Sequence, residues 1–249
     1  MNYKIAIPSY RREQTIQDKS LAYLKRCGKR EEDVDVFVSD ESQLRSYKAT
    51  GIKCNLIVGV PTIMKQRNFM MDYYPEGTKV LFLDDDIKSV YRRVSSKKVV
   101  EENDLDWLCE NGFQFAHSAG SKMWGINPVL NPFYMSEKPS TSLKYIVACF
   151  YGCIIDHSED LKVTLDDKED YERSILYYLK FGSTPRLNNY APDTNYYTEP
   201  GGLQVSRTPE RIEESAKNLL RRFPLLCSWN NSKKSEHAEV RLKDRRKKR

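Results

Sequence analysis

Three aspartates stand side by side at Asp84-Asp85-Asp86, directly after the apolar run Lys79-Val-Leu-Phe-Leu83. Adjacent carboxylates repel one another, so such a run needs a cation or strong donors to offset it. Oxygen-only ligands suit Mg2+ or Mn2+, which keep waters and are typically shared between one or two carboxylates and the phosphates of a substrate, as in a nucleotide diphosphate. Side chains alternate on extended backbone, so Asp84 and Asp86 are expected to face one way and Asp85 the other. Asp86 is then the preferred direct ligand, with Asp84 turned toward a ribose or a metal-bound water. The bland alternative is capping of a helix that starts at Ile87-Lys-Ser-Val90.

The elements that would position this run are legible as alternating β-rich and helix-compatible segments. Short apolar runs at Tyr3 to Ile7, Val34 to Val38, Cys54 to Val60 and Lys79 to Leu83 read as strands. Glu13 to Arg30 and Thr62 to Tyr74, the latter opening just after Pro61, read as helices. The pattern predicts βαβ units and a mixed, mainly parallel sheet flanked by helices in a single α/β domain. Each strand ends in a polar cluster: Pro8 to Arg12, Ser39 to Ser42, and the aspartates. Ligands of open α/β sheets sit beyond the carboxyl ends of the strands, so the three clusters are expected to converge on one crevice. Further on, Gln114 to Met135 reads as irregular, Tyr145 to Ile155 as a strand, and Asp167 to Phe181 as a helix closed by Gly182. Arg186 to Gly202 reads as a long functional loop, and Thr208 to Arg222 as a last helix with Thr208 as N-cap and Pro209 in its first turn.

Bulk properties narrow the class. A chain of 249 residues with 39% hydrophobic residues supports one sizeable core. The first apolar stretch is too short for a signal h-region, and no window of about 18 apolar residues follows, which predicts a cytoplasmic chain without membrane contact. Six scattered cysteines lack zinc-ligand spacing and read as reduced, buried thiols. The net charge of +6 sits at one end: nine basic and three acidic residues fall in 233–249, leaving 32 of each in 1–232. The expected organisation is therefore a domain over 1–232 and a basic tail over 233–249. That tail is either a disordered end, a targeting address, or a polyanion-binding arm that suits nucleic acid.

The start Ile7-Pro-Ser-Tyr-Arg-Arg12, an aspartate after the second strand, the segment Lys65-Gln-Arg67-Asn68 and a strand ending Leu-Asp-Asp-Asp-Ile87 together resemble GT-A glycosyltransferases. The likeness is nearest to the DNA-modifying branch found with TET/JBP-type hydroxylases, which includes the base J glucosyltransferase and phage enzymes that glycosylate 5-hydroxymethylpyrimidines. It covers residues 3 to 90 well and the remainder only by order of elements. The resemblance implies a GT-A-like fold, Mn2+ or Mg2+ as cofactor, a nucleotide sugar as donor with a UDP-sugar foremost, and DNA as acceptor. It implies that Pro8, Ser9, Tyr10, Arg11 and Asp40 contact the nucleoside. Lys65, Arg67 and Asn68 would face the diphosphate or sugar, and Asp84, Asp85 and Asp86 the ribose and metal. GT-A enzymes often carry an acidic pair at the position of Glu169-Asp170, which marks Asp170 as general base and Glu169 as reserve. Acidic residues in a first helical turn are equally explained by the helix dipole, and basic residues at 65 and 67 by a solvated helix face.

The loop Thr194 to Gln204 combines aromatics with a Gly pair, so Tyr197, Gly201 and Gly202 could close over the donor or stack on an acceptor base, with Arg207 and Arg211 on phosphates. Trp124 lines the acceptor site or sits in the core. His117, His157 and His237 stand in no convincing metal-ligand context. Two rival readings remain: the same fold acting on a protein or glycan hydroxyl, and a non-catalytic nucleic-acid-binding module.

Overall fold

A computed structural model of the chain describes residues 3–195, 200–202, 207–231 and 239–246. The core is a seven-stranded sheet built from β1 (Lys4–Pro8), β2 (Val34–Val38), β3 (Asn55–Val58), β4 (Lys79–Leu83), β7 (Met123–Ile126), β8 (Phe150–Ile154) and β9 (Arg186–Leu187). Their order across the sheet is β3-β2-β1-β4-β8-β7-β9. The pairs β1–β2, β1–β4, β2–β3 and β7–β9 are parallel, whereas β8 runs antiparallel to both β4 and β7. The expected mixed, mainly parallel sheet is thus present.

Strand periodicity of two sends alternate side chains to opposite faces. Ile5, Ile7, Val36, Leu81 and Leu83 pack under one helical layer: α1 (Glu13–Ile16), its π-helical continuation Gln17–Leu21, α2 (Ala22–Arg26), α3 (Glu41–Ala49) and α5 (Leu105–Ser118). Ala6, Phe37, Val80 and Phe82 face the other way, against Met70 of α4 (Ile63–Tyr73) and Tyr177 of α6 (Glu169–Phe181). A third cluster joins Ile175 of α6 to Ala216 and Leu219 of α7 (Pro209–Arg222), and to Cys227 and Val240. Those last two belong to a small antiparallel pair, β11 (Cys227–Trp229) and β12 (Val240–Leu242), so the middle of the basic tail is anchored to the domain. Asp244 accepts from Tyr178 and Arg245 donates to Cys227 O, which extends that anchor.

Several expected boundaries shift for identifiable reasons. The helix expected over Glu13 to Arg30 ends at Arg26, where Gly28 takes a left-handed φ of 73. The strand expected from Tyr145 is paired only over Phe150–Ile154, because residues 145–149 run beside the cavity described below. The segment read as irregular from Gln114 holds the end of α5 and all of β7. The long loop from Arg186 contains β9 and β10 (Tyr190–Asp193). β10 pairs with β5 (Ser89–Ser95), and β5 with β6 (Lys98–Glu101), so a strand rather than a helix follows the aspartates. All six cysteines are free thiols, and no described helix is long and apolar enough to cross a membrane.

Candidate functional site

One cavity of about 690 Å³ opens at the carboxyl ends of β1, β2 and β4, and all three strand-end clusters line it, through Ser9, Asp40 and Asp84 to Asp86. Its first wall is an ionic ladder. Asp84 accepts from Arg67 Nη2 at 2.5 Å, and Asp85 accepts from Ser9 Oγ at 2.6 Å and Arg12 Nη1 at 2.7 Å. Asp86 accepts from Thr194 Oγ1 at 2.8 Å and lies 3.3 Å from the same Arg12 nitrogen. The alternation expected along the run is not kept, because Asp85 and Asp86 form a turn after β4 and share Arg12. Burial raises the pKa of Asp85 despite Arg12 and Ser9. Burial, then repulsion from Asp84 and Asp85, pushes Asp86 up to about 6. Arg12 keeps its charge for the opposite reason: burial works against it, but the aspartates outweigh the penalty.

Arg67 is 3% exposed, and its Nε and Nη1 have no hydrogen-bond partner. Its Nε lies 3.7 Å from Glu169 Oε1, beyond hydrogen-bonding range. Buried guanidinium donors are costly to leave unmade, so Arg67 keeps its charge in a setting that favours further oxygen partners. Glu169 also contacts Arg173 Nη2 at 3.2 Å, and burial together with Asp170 raises its pKa against the pull of both arginines. Asp170 accepts from the Tyr145 hydroxyl and from Tyr171 N, and both carboxylates border the cavity.

Among the described residues no group of three or more His, Cys, Asp or Glu is placed to hold a metal on protein ligands alone. The donor set nevertheless fits Mn2+ or Mg2+: Asp84 and Asp86 offer hard oxygens to a cavity large enough for phosphates to complete the shell. Two arginines, Arg12 and Arg67, also face the three aspartates, which leaves a carboxylate charge for a cation to offset.

The other expected residues divide. Asp40 lines the cavity but also caps α3, accepting from Gln43 N. Pro8 and Tyr10 line the cavity, while Arg11 is exposed and off its wall, its left-handed backbone (φ 54) tied to Gln43 Oε1. Lys65 is exposed and off the wall as well. Asn68 is a structural clip, exchanging hydrogen bonds with Val163 O and N, because it faces away from the cavity on α4. Trp124 is fully buried between α5 and the sheet, so of its two expected places the core is the one observed and the acceptor contact is corrected. Gly201 and Gly202 adopt φ of 81 and 56 and lie against Arg12, which donates to Pro200 O at 2.9 Å. Arg207 and Arg211 line the cavity, on Asp167 at 2.8 and 3.4 Å. Tyr197 and His237 lie outside the described residues.

Sequence reasoning assigned no individual role to Arg12, Tyr145, Thr194 and Arg173, although Arg12 lies in the first strand-end cluster and Thr194 opens the loop expected near the donor. Tyr145 and Arg173 are contributed by distant elements and carry no local mark.

No family model matches this chain, and no curated protein does. Solved structures do match by shape. S. aureus TarS 1-349 in complex with UDP-GlcNAc superposes with a TM-score of 0.55 at 19% identity, covering 88% of this chain and 67% of that one. The mannosyltransferase PcManGT from Pyrobaculum calidifontis, in complex with GDP-Man and Mn2+, gives 0.54 at 12% identity, covering 88% and 64%. Glucosyl-3-phosphoglycerate synthase from Mycobacterium tuberculosis, with phosphoglyceric acid, gives 0.55 at 10% identity, covering 98% and 86%. The fold is therefore GT-A-like, and the chain spans about two-thirds of the length of the first two neighbours.

Proposed function

We propose that this chain is a glycosyltransferase that moves a sugar from a nucleotide sugar, UDP-linked by preference, to an acceptor hydroxyl. The observation that carries this reading is the convergence on one cavity of Asp84, Asp85 and Asp86 with Arg12 and the buried Arg67 that pair with them. A ligand with diphosphate oxygens and sugar hydroxyls suits both the arginines and, through a divalent ion, the carboxylates. Support comes from the fold, since the similar structures hold UDP-GlcNAc or GDP-Man with Mn2+.

In this reading Asp84 and Asp86 would hold Mn2+ or Mg2+, which supplies positive charge against the leaving diphosphate. Arg12 orients Asp85 and Asp86 from below, and Ser9 fixes Asp85. Arg67 holds Asp84 at the cavity wall. Asp170 is the base for the acceptor hydroxyl, with the Tyr145 hydroxyl fixing its carboxylate. Glu169, tied between Arg67 and Arg173, is better placed to set the field around them than to take a proton.

For the acceptor, a 5-hydroxymethylpyrimidine in DNA has the basic tail and the sequence likeness in its favour. Calorimetric titration of UDP and GDP with Mn2+, then with EDTA, tests the donor. Metal-dependent binding that Asp86→Ala weakens at least tenfold is expected. Equal binding by that variant refutes the metal assignment.

A further inference from the structure

The proposed base leans on a segment that belongs to no strand. Asp170 accepts from the Tyr145 hydroxyl, and residues 145–149 lie outside the paired part of β8, so no sheet ladder fixes where that hydroxyl stands. Backbone that leaves a ladder while still buried must satisfy its polar groups by other means.

The peptide between Tyr145 and Ile146 is held at both of its polar atoms by side chains. Its N–H, on Ile146, donates to Ser174 Oγ at 2.9 Å, and its carbonyl, on Tyr145, accepts from Arg186 Nη1 at 3.2 Å. Ser174 is fully buried in α6, one turn beyond Asp170, and its hydroxyl donates to Asp170 O at 2.7 Å. A hydroxyl carries one donor and two acceptor sites, so the donor is spent on the Asp170 carbonyl while a lone pair receives the Ile146 amide. One oxygen thereby ties the backbone of the base to the backbone of the residue that orients its carboxylate. Bonding back along its own helix is ordinary for a serine, but the second bond, to a segment 28 residues away, is one that α6 does not require.

Arg186 closes the clamp from the other side. It stands opposite Gly125 in the β7–β9 pairing, and a Cβ at Gly125 would lie 2.5 Å from Ile146 Cγ2, so the ladder that places the guanidinium also seats the Ile146 side chain. Its Nε donates to Asn188 Oδ1 at 2.7 Å, and among the described residues no carboxylate pairs with it. Burial lowers its pKa to about 10. Desolvating a cation against neutral partners costs stability, so the fold gains little from an arginine here, whereas a carbonyl held at the cavity edge gives it a task.

We infer that Ser174 and Arg186 are positioning residues for the proposed transfer, fixing the Tyr145–Ile146 peptide so that the Tyr145 hydroxyl stays on the carboxylate of Asp170. The inference rests on the reading of Asp170 as base given above. Neither residue lines the cavity, and both act through Tyr145.

The test uses the full chain with Mn2+ and whichever of UDP-glucose, UDP-N-acetylglucosamine and GDP-mannose it hydrolyses fastest. Water then stands in for the acceptor: its oxygen bonds to the anomeric carbon, the bond to the diphosphate breaks with its electron pair, and the water proton passes to Asp170. Tyr145→Phe, Ser174→Ala and Arg186→Met should each lower kcat about tenfold, with the donor KM and the Kd for the free nucleoside diphosphate moving by about twofold at most. Ser174→Ala or Arg186→Met added to Tyr145→Phe should lower kcat no further, because the hydroxyl through which they act is already gone, whereas a general loss of structure would multiply the losses. A second measurement needs no turnover. The downfield hydroxyl proton that Tyr145→Phe deletes from the 1H NMR spectrum should shift upfield or broaden away in Ser174→Ala and in Arg186→Met. Losses of kcat that multiply with Tyr145→Phe, a kcat indifferent to both substitutions, or a hydroxyl resonance that neither moves overturns the inference. Wild-type protein that binds neither UDP nor GDP overturns the donor reading, and unchanged hydrolysis by Asp170→Asn overturns the base assignment. The hydroxyl resonance reads the positioning apart from both.

Discussion

Replacing Gly112 by alanine should destabilise the protein, although the same change in a helix interior ordinarily stabilises by about 0.5–1 kcal/mol. Gly112 lies within α5, where a Cβ would sit 2.2 Å from Trp124 Cε2 and 2.3 Å from its Cδ2. The indole has nowhere to retreat. On its other side a Cβ at Gly152 of β8 would meet its Nε1 at 2.1 Å, and Phe113 and Phe150 hold it edge-on at 5.7 and 6.2 Å. Overpacking of a closed core costs about 1–3 kcal/mol, and contacts this short at a ring with no exposed surface place the loss near the upper value. At about 2–4 °C per kcal/mol for a domain of this size, the melting temperature should fall by about 6–12 °C. Urea unfolding of wild type, Gly112→Ala, Trp124→Leu and the double variant closes a double-mutant cycle. With leucine at 124 the added methyl should cost nothing or stabilise. An unchanged midpoint for Gly112→Ala in the wild-type background refutes the packing argument. So does a Trp124→Phe variant that keeps its stability but changes the acceptor KM, because that result returns Trp124 to the acceptor site.

Arg12→Met should cost about 3–5 kcal/mol, since it strands the buried carboxylate of Asp85, and adding Asp85→Asn should recover part of that loss in urea unfolding. An Arg12→Met variant as stable as wild type would show that Asp85 needs no counter-charge. Acid should act through Asp156. Burial alone would raise its pKa, but hydrogen bonds from Lys122 and Ser158 hold it down at about 2. Its folded-state pKa lies below the ordinary value near 4, so its contribution is complete above about pH 4 and is lost as the pH falls through 2. Asp156→Asn should therefore flatten the urea midpoint between pH 4 and 2, and an unaltered acid limb would contradict the assignment.

The parts of the fold that alternate cleanly were legible. β1, β2 and β4 bury both faces, so their apolar runs stand out, and polar residues crowd their ends because the cavity begins there. α7 was equally plain, with Thr208 accepting from Arg211 N and Pro209 in the first turn. The central segment was opaque for a physical reason. α5 carries Asn111 and Gly112, residues that weaken helix propensity, yet Gly112 is required by the indole it touches. Here tertiary packing overrides the local signal, and only the partner, Trp124, explains the choice.

The site shows the same division more sharply. The acidic run could be read as chemistry because three like charges in a row are costly wherever they lie. What offsets that cost could not be read, because Arg12 and Arg67 reach the aspartates from 73 and 17 residues away. Once those pairings are placed, the run separates into different tasks. Asp85 is fully engaged by Ser9 and Arg12 and serves to fix them, whereas Asp84 keeps a third of its side chain exposed at the cavity. Asp86 combines a cavity position with a pKa raised by burial and by its neighbours Asp84 and Asp85. Arg67, with Asp84 on one nitrogen and Glu169 3.7 Å from another, joins the Asp84–Asp86 side of the cavity to the Glu169–Asp170 side.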